Sequence, residues 1–353
     1  MERRRNDFQV AMSSKPNPQN SAAIDEDSTD YSYFCDVVLG TNPGLHVYLL
    51  MDTGSSVLWV MGQDCHTQAC KEHDQFGVTD SATYKTGAGD FFIQYATGNV
   101  SGDVITDHVG LAGFDLDMNF GVARTTTDEF INYPIDGILG LARTPGPGPN
   151  IPTFLQVLQK NNLIKQNVFG MNLQRASDGT NDGEINFGTI DTTKFQGDLN
   201  WQNTVGDLSR WTVPINGIMV NGKLTSLQGD RTAIIDTGTS YLYIPPSDAK
   251  PIFDAIPGET PIVNGSYVIP CNTNAQISLV FNGIAYSLPL KDYVGLPLGN
   301  GCVSHIFPQD VVGDGKTWLV GDTFLKNVYT VFDSDQSRVG MFSPSTIPPY
   351  SHR

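Results

Sequence analysis

A five-residue phrase occurs twice in this chain, as Asp52-Thr53-Gly54-Ser55-Ser56 and as Asp236-Thr237-Gly238-Thr239-Ser240. Each copy sets one carboxylate between two apolar runs. Before Asp52 comes His46-Val47-Tyr48-Leu49-Leu50-Met51, and after it Val57-Leu58-Trp59-Val60. The second copy has Ala233-Ile234-Ile235 before the acid and Tyr241-Leu242-Tyr243-Ile244 after it. Such runs read as buried strands. An acid at the end of one pays a desolvation cost unless it is hydrogen-bonded or shares a proton. The hydroxyls that follow can supply bonds, and the glycine lets backbone approach closely. An echo follows each copy. Ile138-Leu139-Gly140 ends 88 residues after Asp52, and Leu319-Val320-Gly321 ends 85 residues after Asp236. Two motifs at nearly one offset point to a duplication of two related halves, not to a solenoid, whose periods are far shorter.

At 353 residues the chain is long enough for about two domains. Its 39% hydrophobic and 16% charged content is that of a globular protein, and 36 Gly with 21 Pro favour short strands and turns over long helices. The net charge of −16 argues against nucleic acid and anionic membrane as partners. The first 24 residues carry four bases (Arg3, Arg4, Arg5, Lys15) against Glu2 and Asp7, and the remainder carries −18. A basic leader on so acidic a body suggests an intramolecular electrostatic partner. The body would shed self-repulsion as its carboxylates protonate, which suits an acidic environment. No apolar run reaches 18 residues, so no spanning helix is expected, and the tail Ile347 to Arg353 is not an anchor signal. The N-terminus lacks the apolar core of a signal peptide, whereas the cysteine spacing looks extracellular. The expectation is that Met1 begins a truncated chain whose natural leader is missing.

Residues 1 to about 28 are polar, with linker character over Ser13 to Ser21. Order is expected to begin near Tyr31, with a strand through Gly40 and a turn at Thr41 to Gly44. Cys65, His66, Cys70 and His73 crowd one short loop. A zinc site is disfavoured there, because adjacent Cys65 and His66 cannot easily face one ion and no second ligand cluster exists. A local disulfide Cys65–Cys70 is the preferred reading. Cys271 and Cys302 would close a loop of about 30 residues, worth roughly 3–4 kcal/mol by chain entropy. Cys35, mid-strand among apolar residues, reads as a buried free thiol. Phe91 to Ile105 reads as a hairpin with a tip of Ala96-Thr97-Gly98-Asn99. Tyr95 at that tip is a large aromatic where a turn residue is usual, so it should cover something. Thr153 to Lys160 is the clearest helix, with Pro152 near its start and a Pro-Gly loop, Pro145 to Pro149, before it. Short helices are also expected after Ser247 and over Asp322 to Asn327, the latter before a strand Val328 to Phe332. Asn99 and Asn264 head glycosylation sequons, and Asn264 is the better acceptor.

If Asp52 and Asp236 meet, their chemistry is set. Two carboxylates in contact cannot both ionise cheaply, so one keeps a proton and the titration belongs to the pair. The charged member can take a proton from a water between them while the other donates to a carbonyl oxygen. Attack then gives a tetrahedral diol, with no metal, cofactor or covalent intermediate. A two-carboxylate glycosidase is the competing enzyme class, but duplicated Asp-Thr-Gly loops are not expected there and aromatic sugar platforms are not evident. A binding protein that keeps this fold without the chemistry is the third reading.

The chain resembles pepsin-family aspartic endopeptidases from about Tyr31 to Pro344. The matching stretches are Asp52 to Val60, Tyr95-Ala96-Thr97-Gly98, Ile135-Asp136-Gly137-Ile138-Leu139-Gly140-Leu141-Ala142, Ala233 to Ser240 and Trp318 to Leu325. The resemblance implies a predominantly all-β, bilobal acid protease fold: two related barrel-like lobes, a few short helices and a central cleft. It divides the chain into a prosegment remnant or linker at 1–28, an N-terminal lobe at 29–200 and a C-terminal lobe at 201–353. It also assigns roles. Asp52 and Asp236 hold the water. Thr53 and Thr237 bond across the lobe junction. Ser55 and Thr239 bond the outer carboxylate oxygens. Tyr95 is the flap tyrosine, its hydroxyl steadied by Trp59. Gly54 and Gly238 leave room for substrate backbone, and Phe130 and Ile138 line an apolar pocket, with an equal claim as core. The implied partners are protein and peptide substrates, preferred with hydrophobic residues at the cut, and statine-type inhibitors. The implied state is a monomer without cofactor or membrane anchor, secreted or in a vacuolar or lysosomal lumen. Three departures stand out: Ala96 where many relatives carry Gly, Cys35, and a leader shorter than a full inhibitory prosegment.

Overall fold

The computed structural model describes residues 8–16, 18–145, 151–258, 260–343 and 346–347. The basic leader Arg3 to Arg5, most of the Pro145 to Pro149 loop and the tail beyond Ile347 lie outside the described residues. The chain divides into two compact units, Met1–Asp191 and Thr192–Arg353. This boundary precedes the one read from sequence. The reason is that the strand Asn200–Asn203 pairs with Arg338–Phe342, a strand of the second unit.

In the first unit, strands follow the order Asp25–Glu26, Tyr33–Leu39, Leu45–Asp52, Gly137–Gly140, Trp59–Met61, Phe114–Thr126, Asn99–Leu111, Asp90–Gln94. Pairing of Val38 with Gly110 and of Leu39 with Val109 brings the second and seventh of these together and closes a barrel. Its interior packs Phe34, Trp59, Met61, Val104, Phe130 and Ile138. Leu45–Asp52 is a strand because its run from Val47 to Met51 is apolar and buried almost throughout. It lies parallel to Gly137–Gly140, with Asp52 opposite Gly140. Gly137–Gly140 in turn pairs antiparallel with Trp59–Met61, the strand that follows the acid loop.

The second unit repeats this arrangement. Arg231–Ile235 runs parallel to Thr317–Val320, which pairs antiparallel with Leu242–Ile244. The sequence echo therefore has a structural meaning. The apolar-apolar-Gly strand inserts between the two strands that flank each acid loop, and its glycine abuts that loop. A Cβ on Gly140 would fall on Val57 N and Ser56 C, and one on Gly321 on the Thr239 carbonyl, all closer than any real contact. These are backbone atoms and cannot swing aside. The other sheets of this unit are antiparallel, one built on Gly217–Val220, Ile277–Phe281 and Ile284–Leu288 and one on Ser266–Ile269, Gly301–Ser304 and Val294–Leu298.

Helices are few and short. Phe154–Lys160 starts one residue later than expected, because Thr153 serves as its N-cap, accepting from Gln156 N while Gln156 bonds back. Pro246–Phe253 begins before Ser247, and Asp322–Leu325 ends before Asn327. The strand after it is Tyr329–Asp333. Helices Gln68–Glu72 and Leu290–Tyr293 have no counterpart in the sequence reading. Among the described residues no helix is long and apolar enough to cross a membrane.

Order begins well before Tyr31, against expectation. Ser21–Ala23 pairs with Glu184–Phe187, and Asp25–Glu26 pairs with Tyr33 and Phe34. Ala11 exchanges backbone bonds with Glu26, and Ser13 N donates to Asp25 Oδ1 at 2.7 Å. Polar composition hid this segment, because much of its hold is backbone and side-chain hydrogen bonding, with Ile24 as its one fully buried apolar side chain. Two carboxyls are buried beside it and within the barrel. Glu26 is 0% exposed, and its Oε1 has no hydrogen-bond partner while Oε2 accepts from Asp30 N. Burial, with Asp30 and Asp27 adding, pushes it up to about 7 from 4.5. Asp136 accepts from Tyr48 N at 2.8 Å and Asp74 N at 2.9 Å, and burial pushes it up to about 6 from 3.8.

Disulfides join Cys65 to Cys70 and Cys271 to Cys302, and Cys35 is a buried free thiol.

Two predictions follow from this packing. Gly140→Ala and Gly321→Ala each lose on the order of 3 kcal/mol by overpacking, read as a lower urea midpoint at pH 5. The second concerns pH. Glu26 holds its proton in the folded state up to about 7 but only to 4.5 when unfolded. Stability is therefore full below the lower value and falls as pH rises to the higher. Glu26→Gln should match wild type at pH 4 and exceed it at pH 7 by on the order of 1–2 kcal/mol. Equal urea midpoints at pH 7 would show that Glu26 carries none of the loss.

Candidate active site

Each acid loop is complete within its own unit. Asp52 closes the strand Leu45–Asp52, and its carboxylate is 5% exposed. Oδ1 accepts from Gly54 N at 2.8 Å and from Ser55 N at 3.2 Å, and Oδ2 accepts from the Ser55 hydroxyl at 2.5 Å. The chain then crosses itself: Leu141 N donates to Asp52 O at 2.7 Å and Ala142 N to Ser55 O at 2.8 Å. Asp236, 8% exposed, repeats the pattern. Its Oδ1 accepts from Gly238 N at 2.9 Å and its Oδ2 from the Thr239 hydroxyl at 2.8 Å. Asp322 N donates to Thr239 O at 2.8 Å, and Thr323 N to Ser240 O at 2.9 Å. Thr53 and Thr237 are buried at the start of their loops. The bonds from Ser55 and Thr239 are those expected of them, and the loop glycines donate through their amides.

The hairpin expected over Phe91 to Ile105 forms, with Asp90–Gln94 antiparallel to Asn99–Leu111 and Gln94 opposite Asn99. Tyr95 N donates to Gly98 O at 2.7 Å, which tightens the tip. The Tyr95 ring is half-buried, and its hydroxyl accepts from Trp59 Nε1 at 2.9 Å. Burial, and after it the charge of Asp52, push the Tyr95 phenol far up, against the effect of its bonds to Trp59 and Ser55. The hydroxyl is thus a neutral donor and acceptor at any acidic pH. Phe130 sits edge-on to both partners, with centroids 5.3 Å from Trp59 and 6.2 Å from Tyr95. The first unit therefore gathers Asp52, Ser55, Trp59, Tyr95 and Phe130 into one cluster. Ile138 is 4% exposed and belongs to the barrel core beneath it.

Sequence reasoning missed several supports. Thr127 fastens the hairpin tip: its hydroxyl accepts from Asn99 N at 3.2 Å, and its N donates to Asn99 O at 3.1 Å. Asp136 pins the strand that delivers Asp52 through Tyr48. In the second unit, Asp248 accepts from Arg231 Nε at 2.7 Å and Nη2 at 2.6 Å, and from Trp318 Nε1 at 2.9 Å. It thereby ties the head of the Asp236 strand to its parallel neighbour. Asp136 and Trp318 stood inside the matching motifs and could have been singled out there. Thr127, Asp248 and Arg231 carry no local signal.

Comparison with known proteins agrees with this geometry. Residues 32–343 match the eukaryotic aspartyl protease family. The "Aspartic-type endopeptidase ctsD" of Aspergillus fumigatus is 42% identical over 347 residues, covering 98% of this chain and 72% of that protein. The "Probable aspartic-type endopeptidase CTSD" of Trichophyton verrucosum is 43% identical over 341 residues, covering 96% of this chain and 66% of that protein. Pepsin A of Rhinolophus ferrumequinum is 33% identical over 322 residues, covering 90% of this chain and 82% of that protein. With the match spanning nearly the whole chain, and with both acid loops built on the same strand arrangement, this chain belongs to the eukaryotic aspartyl protease family.

Proposed function

We propose that the chain is an endopeptidase that hydrolyses peptide bonds at acid pH through a water held between Asp52 and Asp236. The observation that carries the reading is the duplicated carboxylate. Each acid is nearly buried, and each has its Oδ1 held by a glycine amide and its Oδ2 by a hydroxyl from the same loop. One acid of the pair stays protonated and polarises the scissile carbonyl. The other takes a proton from the water, which attacks to give the tetrahedral diol. The first acid gives its proton to the carbonyl oxygen in that step; the second then passes the proton taken from water to the leaving nitrogen, and the first recovers one from a diol hydroxyl as the C–N bond breaks and the new carboxyl C=O forms. In this reading Tyr95 closes over the peptide from the hairpin and excludes water, with Trp59 holding its hydroxyl. Thr53 and Thr237 couple the two loops, Gly54 and Gly238 clear space for substrate backbone, and Phe130 with Ile138 favours hydrophobic side chains at the cut.

The same reading gives protein and peptide substrates, inhibition by statine-type mimics, a monomeric enzyme, and a secreted, vacuolar or lysosomal setting. Asn264, exposed at a hairpin tip, is the better sugar acceptor of the two sequons.

Cleavage of denatured haemoglobin or casein at pH 3–4 tests the mechanism. Asp52→Asn and Asp236→Asn should each lose activity by roughly 10³-fold or more, and substantial cleavage by either variant would remove the idea. Tyr95→Phe keeps the ring but loses the hydroxyl, and kcat/KM should fall by about tenfold, or 1.4 kcal/mol, on a chromogenic peptide.

A further inference from the structure

His73 was met above only as a rejected zinc ligand, yet its ring makes an unusual pair of contacts. Nδ1 lies 2.7 Å from the carbonyl oxygen of Ala69, and Nε2 lies 2.8 Å from that of Tyr133. A carbonyl oxygen can only accept. Both contacts are hydrogen bonds only when both ring nitrogens carry protons, as in the imidazolium. A neutral ring would turn one lone pair against a carbonyl oxygen. The two acceptors belong to different elements: Ala69 to the helix Gln68–Glu72 in the Cys65–Cys70 loop, and Tyr133 to the residue that ends the single turn Asp128–Asn132.

That turn needs an external fastening. It is a 3₁₀ segment of five residues, and its own backbone bonds are long, 3.4 Å from Phe130 N to Thr127 O and 3.3 Å from Tyr133 N to Phe130 O. It carries Phe130, the ring wedged against Trp59 and Tyr95. Its first flank, Thr127, holds the tip of the Tyr95 hairpin through Asn99 and leaves no room for a Cβ on Gly98. One segment therefore props the hairpin residue from below and grips the hairpin from its side.

We propose that His73 is a positioning residue for peptide hydrolysis: as an imidazolium it clamps the segment 127–133, and so Phe130 and the Tyr95 hairpin, to the disulfide loop. The proposal rests on the reading of Tyr95 as the residue that closes over substrate. Its ionisable surroundings are Lys71 and Glu72 on the helix, Asp74 after it, Asp128, Glu129 and Tyr133 on the facing turn, and the buried Asp136, whose charge interacts with the ring. Two carbonyl acceptors on one ring require two donors, so the clamp is doubly bonded only while both ring nitrogens carry protons, and it loses one bond when either proton leaves.

The experiment compares wild type with His73→Arg, a cation at every pH, and His73→Gln, neutral at every pH. We measure kcat/KM on a chromogenic peptide from pH 3.5 to 6.5, with unfolding midpoints as a folding control. The ratio of Arg to Gln variant should stay near tenfold across the range. Wild type should follow the Arg variant at the acid end and drift toward the Gln variant at the neutral end. Hydrogen exchange of wild-type residues 127–134, corrected for the intrinsic pH dependence, should show protection lost from pH 5 to 7.5 and retained in the Arg variant. Parallel pH profiles for wild type and the Gln variant, or protection of that segment that does not change with pH in wild type, would overturn the clamp. If Asp52→Asn remains active, the catalytic reading fails instead, and the exchange measurement still decides whether His73 fastens the segment.

Discussion

A backbone crossing without room for a side chain underlies both halves of this protein. At Gly140 the barrel strand Gly137–Gly140 presses on the chain between Ser55 and Val57, and at Gly321 the same contact falls on Thr239. The crossing turns each acid loop back on itself. It lets Leu141 and Ala142, or Asp322 and Thr323, satisfy the loop carbonyls that a reversal at the end of a buried strand would otherwise strand without partners. The carboxylate at the start of each loop is held by loop amides and one hydroxyl. The hydrogen-bonded geometry of each acid loop is thus set by strand packing.

The acid character of the chain is built at several depths. The −16 net charge sets a global preference for conditions that protonate carboxylates. Glu26 and Asp136 act locally, since burial raises both and each sits on a strand or strap that supports the first unit. These groups are not at the proposed chemistry. They tie the fold that carries it to the same pH range.

Much of the site was legible because its residues are local in sequence. An acid, a glycine and a hydroxyl within four positions make their own hydrogen bonds, so Asp52 with Ser55 and Asp236 with Thr239 could be read from spacing. The hairpin was legible from its turn residues, and Tyr95 from being the wrong size for a tip. Two cysteine pairs were close enough in sequence, or lone enough, to match correctly. What escaped depends on distance along the chain. Arg231, Asp248 and Trp318 meet only after folding, and no period or spacing marks them. The strap before Tyr31 escaped because its order comes from hydrogen bonds such as Ser13 to Asp25, which leave no apolar pattern. Gln68–Glu72 is too short for helical periodicity and is stabilised by its Thr67 cap and disulfide.

Cys35 has one more consequence. It is the sole thiol outside a disulfide among the described residues, it is 0% exposed, and burial together with Asp25 and Asp36 pushes it well up. It lies on Tyr33–Leu39, the strand through which the barrel closes. A sulfhydryl so placed is inert to alkylating reagents while the ring of strands is intact. Its rate of labelling therefore reports local unfolding around the Tyr33–Leu39 strand, with no added probe site.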